Sequence, residues 1–240
     1  MLQKSLSNEY LNKLVMRMLV SFILILLLNN CSSNGQNDRI GYLYKKSKEF
    51  FPSHLTNHIP EVYDSRSYFI TTIKGILSED TIMKDFAPHQ FMLINKYSDE
   101  DFKMEYDKIK TVSLKEFSVN DTNQILIGNS LCLAKYDVFE IDGYSEGEES
   151  INVIKRNMRN KNGVPLPIFR VEEFFDATST RLSNNFVLLV LDYHTGKVLK
   201  AGGCNKVDVE IVPKVWHNGY SRGYAISIID KIIIYWVIAW

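Results

Sequence analysis

The stretch Lys231-Ile232-Ile233-Ile234-Tyr235-Trp236-Val237-Ile238-Ala239-Trp240 decides the fold class. Every residue after Lys231 is apolar or aromatic, so both alternating sets of side chains avoid water, as in a strand covered on its two faces. Its eight large side chains carry a gross transfer energy of ~12 to 24 kcal/mol at ~1.5 to 3 kcal/mol each, against a whole-domain stability of typically ~5 to 15 kcal/mol. The segment is therefore expected to be a core strand that the domain needs.

Working back from it, Gly223 to Ile228 and Val207 to Val212 read as further strands. Phe186 to Asp192 (FVLLVLD) is continuous apolar strand material, and Tyr193-His194-Thr195-Gly196 reads as a turn with Lys197 to Lys200 returning, a hairpin signal. The final aromatic, with apolar residues at every second position back to Ile232, resembles the C-terminal strand signal of outer-membrane β-barrels. The rest of the chain lacks the series of ~10-residue alternating strands that such a barrel requires, and a core strand remains the reading.

Upstream the pattern turns helical. Tyr42 to Phe51 mixes aromatics and lysines at helical spacing until Pro52. Ser98 with Asp101 three residues later is a capping-box pattern, and Phe102, Tyr106 and Ile109 share one face, predicting a helix over 99–110. A second box, Ser145 to Glu148, precedes Ile151, Ile154 and Met158, and that helix should stop by Gly163; Val171, Phe174 and Phe175 suggest a third amphipathic segment. Ser67 to Ile76 and Gln90 to Lys96 read as strands, and Ile125 to Ile127 with Leu131 to Leu133 as a strand or hairpin around Gly128-Asn129-Ser130. The fold class expected is α+β, with amphipathic helices in the first two thirds and a mainly antiparallel sheet in the C-terminal third.

Hydrophobic residues make up 45% of the 240-residue chain and charged residues 23%, which places it with globular proteins and away from disordered ones. Beyond residue 30 there are 25 bases and 27 acids. A nucleic-acid binder needs a basic surplus to neutralise phosphates, so nucleic acid is not an expected partner.

Lys13 and Arg17 precede the apolar run Leu19 to Leu28, the layout of a secretory signal. From Met18 the run has eleven residues, whereas crossing a bilayer takes about 20. Leu28-Asn29-Asn30-Cys31-Ser32-Ser33 then resembles the lipobox of bacterial lipoprotein precursors. That resemblance implies cleavage before Cys31, acylation of Cys31, and a mature protein anchored in the bacterial cell envelope, periplasmic or surface-facing. The expected organisation is a signal peptide over 1–30, a lipidated flexible tether over 31–39 and one globular domain over 40–240.

The chemical motifs in that domain are sparse. His54 and His58 at i and i+4, with Glu61 three residues on, have a zinc-like spacing, yet Pro52 and Pro60 leave barely two turns and the glutamate of an HExxH motif is missing, so a polar surface turn is the reading preferred. Cys132 and Cys204 are the two cysteines left after Cys31, open to a disulfide in an oxidising compartment or to two separate buried thiols. No serine elbow, cysteine–histidine signature or phosphate loop occurs, and no cofactor is expected. The carboxylate pairs Glu172-Glu173 and Glu140/Asp142 are explained by solvated faces.

Trp216-His217-Asn218-Gly219-Tyr220-Ser221-Arg222-Gly223-Tyr224 is the richest stretch, and its Trp216, His217, Tyr220, Arg222 and Tyr224 form the candidate binding surface, suited to stacking on a sugar or peptide. Against that stands a hairpin loop whose aromatics pack on the sheet. The function expected is a non-enzymatic envelope lipoprotein that binds a protein or glycan; a small secreted hydrolase and a membrane-tethered immunity factor are the alternatives.

Overall fold

A computed structural model describes residues 38–64, 66–73, 89–112, 115–119, 125–127, 163–167, 169, 171, 178, 180–199 and 217–240. The chain divides into two compact units, Met1–Leu43 and Tyr44–Trp240. In the first, the described residues 38–43 are helical, and this helix, α1, runs on through residue 50.

The second unit is mixed α+β. Its centre is an antiparallel sheet of six strands in the order β1 (Tyr68–Thr71), β2 (His89–Lys96), β8 (Ile232–Ala239), β7 (Gly219–Ser227), β6 (Phe186–Thr195) and β3 (Lys115–Ser118). Strand β8 sits between β2 and β7, and all eight of its residues are buried. A pair of short strands, β4 (Ile125–Ile127) and β5 (Val164–Leu166), runs parallel, with Pro165 opposite Leu126. Three of the six strands of the main sheet thus come from the first half of the chain.

Strict alternation divides the sheet between two apolar clusters. Ile233, Tyr235 and Val237 of β8 join Phe91 and Leu93 of β2 on one face, under Tyr44 of α1, Leu55 of α2 (Ser53–Thr56) and Phe102 and Ile109 of α3 (Asp99–Lys110). Ile232, Ile234, Trp236 and Ile238 face the other way, with Met92, Leu188, Val164, Leu166 and Phe169. A one-residue slip of β8 would exchange two complete sets of large side chains, which is what pins its register.

Helix α3 starts as its capping box requires: Ser98 Oγ accepts the Asp101 N–H at 3.3 Å, and Asp99, Glu100 and Asp101 occupy the positive end of the helix dipole. Two expectations need correction. Strand β6 runs on through Tyr193, His194 and Thr195 instead of turning there, and its partner is β7, not Lys197 to Lys200. The strand expected from Gly223 starts four residues earlier, so that Gly219 to Arg222 belong to β7 inside the sheet and not to a hairpin loop. The cause lies across the ladder: a Cβ on Gly219 would stand 2.6 Å from the Trp240 ring, and one on Gly223 2.9 Å from the Trp236 ring. Those glycines make room for tryptophans; they do not make a turn.

Ile125–Ile127 pairs with β5, and Leu131 to Leu133 lies outside the described residues, as do the expected helix after Ser145, residues 207–212, Phe174 and Phe175. Val171 is buried in irregular structure.

Candidate functional site

Pro52 opens the tight turn into α2, and Leu55, fully buried, seats that single helical turn on the sheet. The His54 carbonyl and the side chains of Asn57 and His58, just past the turn, then meet β7 and β8 from more than 160 residues away. Arg222 Nη1 donates to the His54 carbonyl and, at 2.6 Å, to Asn57 Oδ1. His58 Nε2 donates to the Trp236 carbonyl at 3.1 Å, which fixes the tautomer when the ring is neutral. The ring stands edge-on to Tyr224 with centroids 5.4 Å apart, and Tyr224 stands at 69° to Tyr235, also at 5.4 Å.

His58 is kept neutral by its surroundings. Burial, and then the Arg222 cation, lower its pKa to about 3, and the backbone groups of Trp236 and Gly223 only partly offset them. Tyr224 is pushed up to about 12 by burial and then by the Glu105 charge.

A bulge completes this corner. Val190 pairs with Gly223 and Asp192 with Arg222, so Leu191 is the extra residue on β6. The insertion turns Asp192 onto the Tyr220 side and Tyr193 onto the opposite cluster. Tyr220 Oη donates to Asp192 Oδ2 at 2.5 Å, and its ring lies nearly parallel to that of His194. Burial first, and then the hydrogen bond and charge of Asp192, raise the Tyr220 pKa to about 12.

A second polar chain ties α3 to the sheet centre. Asn95 Nδ2 lies 2.9 Å from Tyr97 Oη, the Tyr97 and Tyr235 hydroxyls 2.7 Å apart, and Tyr235 Oη 3.1 Å from Glu105 Oε1. Each phenol has one proton and a carboxylate oxygen only accepts, so the chain has one direction: Asn95 to Tyr97 to Tyr235 to Glu105. Lys108 holds the other Glu105 oxygen at 2.9 Å. Burial raises the pKa of Tyr97, and that of Tyr235 further.

The structure thus brings His58 and the His54 carbonyl to Tyr224 and Arg222, which the sequence leaves separate; the His54 side chain is exposed, and Tyr220 stands instead with Asp192 and His194. Glu61 does not join them; it pairs with Lys48 at 3.6 Å, and Lys48 also bonds the carbonyls of Ile59 and Pro60. Among the described residues no three His, Cys, Asp or Glu side chains gather as metal ligands. His217 is half-buried just before β7. Trp216, Cys31, Cys132, Cys204, Glu140, Asp142, Glu172 and Glu173 lie outside the described residues.

Asp192, Asn95, Tyr97, Glu105 and Tyr235 were missed by sequence reasoning. Only for Tyr220, Arg222 and Tyr224 did a local signal exist, their spacing by two along one face of a strand. Comparison with protein-family models, with curated proteins and with solved structures gives no match for this chain. The site's chemistry is cohesive: a cation and an imidazole join the 54–58 segment to β7 and β8, and the Tyr220 phenol joins β7 to β6.

Proposed function

We propose that the protein is a membrane-anchored lipoprotein of the bacterial cell envelope, whose exported domain is a non-enzymatic binding or accessory module. The observation that carries this reading is the order of residues at the N-terminus: Lys13 and Arg17, the apolar run Leu19 to Leu28, then Cys31 after Leu28 at the lipobox spacing. Two or three acyl chains on Cys31, at ~0.8 kcal/mol per buried methylene, anchor firmly where one chain is marginal. The non-enzymatic part is supported by the structural bonds these residues make: Arg222 Nη1 and His58 Nε2 tie the segment 54–58 to β7 and β8, Tyr220 ties β7 to Asp192 of β6, and Tyr235 ties β8 to Glu105 of α3. The finer partition of the fold belongs to the same proposal, with a further amphipathic helix after Ser145 and helices concentrated in the first two thirds.

Growth of an expressing bacterium with labelled palmitate tests the anchor. The label should enter the wild-type chain and be lost from Cys31→Ser. Label that persists unchanged in Cys31→Ser overturns the reading.

A further inference from the structure

The hairpin joining β7 to β8 carries two isoleucines where a turn normally carries glycine, asparagine or aspartate. Ile228 is 54% exposed and Ile229 73%. The turn beneath them is firmly built. Ser227 Oγ bonds the Asp230 carboxylate at 2.6 Å and accepts the Asp230 N–H at 3.2 Å, Lys231 Nζ pairs with Asp99, and the Tyr97 N–H donates to the Lys231 carbonyl at 2.9 Å. Lys231 itself takes the left-handed conformation, φ 55°, that glycine would adopt more cheaply. Two β-branched side chains are held out into solvent by a turn that favours neither of them.

The course of the chain indicates what meets them. The Phe50 ring lies 4.6 Å from His89, at the end of β2 opposite Ala239, while Tyr44 lies 5.5 Å from Phe91 and 5.8 Å from Phe69, the partner of Leu93. Followed backwards from Phe50 to Tyr44, α1 therefore advances ~9 Å toward the end of the sheet where Lys96 meets Ile232, which is the hairpin end. In sequence, thirteen positions separate the expected anchor at Cys31 from Tyr44, a reach of at most ~47 Å.

We propose that Ile228 and Ile229 form a shallow membrane-contacting tip, which seats the hairpin end of the domain in the interfacial zone of the bilayer that holds the lipid anchor. The proposal rests on the lipoprotein reading. Asp99, Glu100 and Asp101 at the start of α3 stand beside Lys231 and oppose anionic headgroups, so the contact is apolar and does not depend on them.

The test uses the full-length chain in the membrane of an expressing bacterium, with a benzophenone amino acid placed at Ile229 or, as control, at exposed Val112. Helix α3 leads ~18 Å away from Asp99 before Val112. Palmitate incorporation is scored in parallel. The expected result is palmitate-labelled protein with phospholipid adducts at position 229 and none at 112. Labelled protein whose position 229 gives protein adducts alone, no adducts, or no more lipid than position 112 overturns the hairpin contact and leaves the anchor standing. A wild-type chain that takes up no palmitate overturns the anchor and the membrane contact with it.

Discussion

Gly223→Ala tests the sheet centre. A Cβ at this position would press into the Leu189 carbonyl of β6 and lie 2.9 Å from Cζ2 of Trp236, whose side chain is fully buried. Neither neighbour can give way cheaply. The carbonyl belongs to the ladder between β6 and β7, and the indole is packed edge-on against Phe169 at 6.4 Å. Overpacking of this kind costs ~1 to 3 kcal/mol, and the loss of unfolded-chain freedom on replacing glycine returns ~0.4 to 1 kcal/mol. A net destabilisation of about 1.3 kcal/mol should lower Tm by roughly 3 to 5 °C for a domain of this size.

Gly41→Ala provides the opposite sign. Gly41 lies within α1 with nothing inside 4 Å of an added Cβ, so the gain in helix propensity should stabilise by ~0.5 to 1 kcal/mol. Both variants are made in the chain from residue 31 onward with Cys31→Ser, and cooperative unfolding is followed by circular dichroism. A Gly223→Ala protein that melts within about 1 °C of its parent would refute the packing of β6, β7 and β8 around Trp236.

Two further outcomes follow from the polar contacts. Since the His58 pKa is lowered to about 3 in the folded chain from 6.5 in the unfolded one, the unfolded state binds the extra proton between these values, and stability should fall as pH drops below 6.5, by up to ~1.4 kcal/mol per pH unit; urea midpoints at pH 6.5 and 5.0 should show this slope, and His58→Gln should remove it. Tyr235→Phe breaks the chain between Tyr97 and Glu105 and leaves the Tyr97 hydroxyl without its acceptor, so it should cost ~1 to 3 kcal/mol in chemical denaturation, and an unchanged midpoint would count against the chain.

How far the fold could be read in advance varied with the range of the forces involved. Strand β8 was legible because two complete apolar faces have no other low-energy arrangement, and α3 because its cap, its acidic first turn and its apolar spacing all fall within twelve residues. The second half of β7 was legible, Gly223 to Ile228 reading as a strand, but its start was read as a loop because Asn218, Gly219, Ser221 and Gly223 look like turn chemistry. What decides against a turn is the demand of Trp236 and Trp240 for space on the neighbouring strand, which appears only once the register Gly223↔Trp236 is known.

The candidate site was hidden by the same kind of distance. Arg222 and Asn57 are 165 positions apart, and Tyr97 and Tyr235 are 138 apart, so no local pattern could pair them. The bulge at Leu191 adds a dependence on topology: without it Asp192 would share a face with Val190 and Leu188, in an apolar cluster, and Tyr220 would lose its acceptor. A buried carboxylate without a partner costs several kcal/mol, so the bulge and the Tyr220 bond make one device. It lets β6 continue past Asp192 into Tyr193, His194 and Thr195 where the sequence suggested a turn. That continuation gives Tyr220 and Arg222 a strand beside them, and with it the footing on which α2 sits.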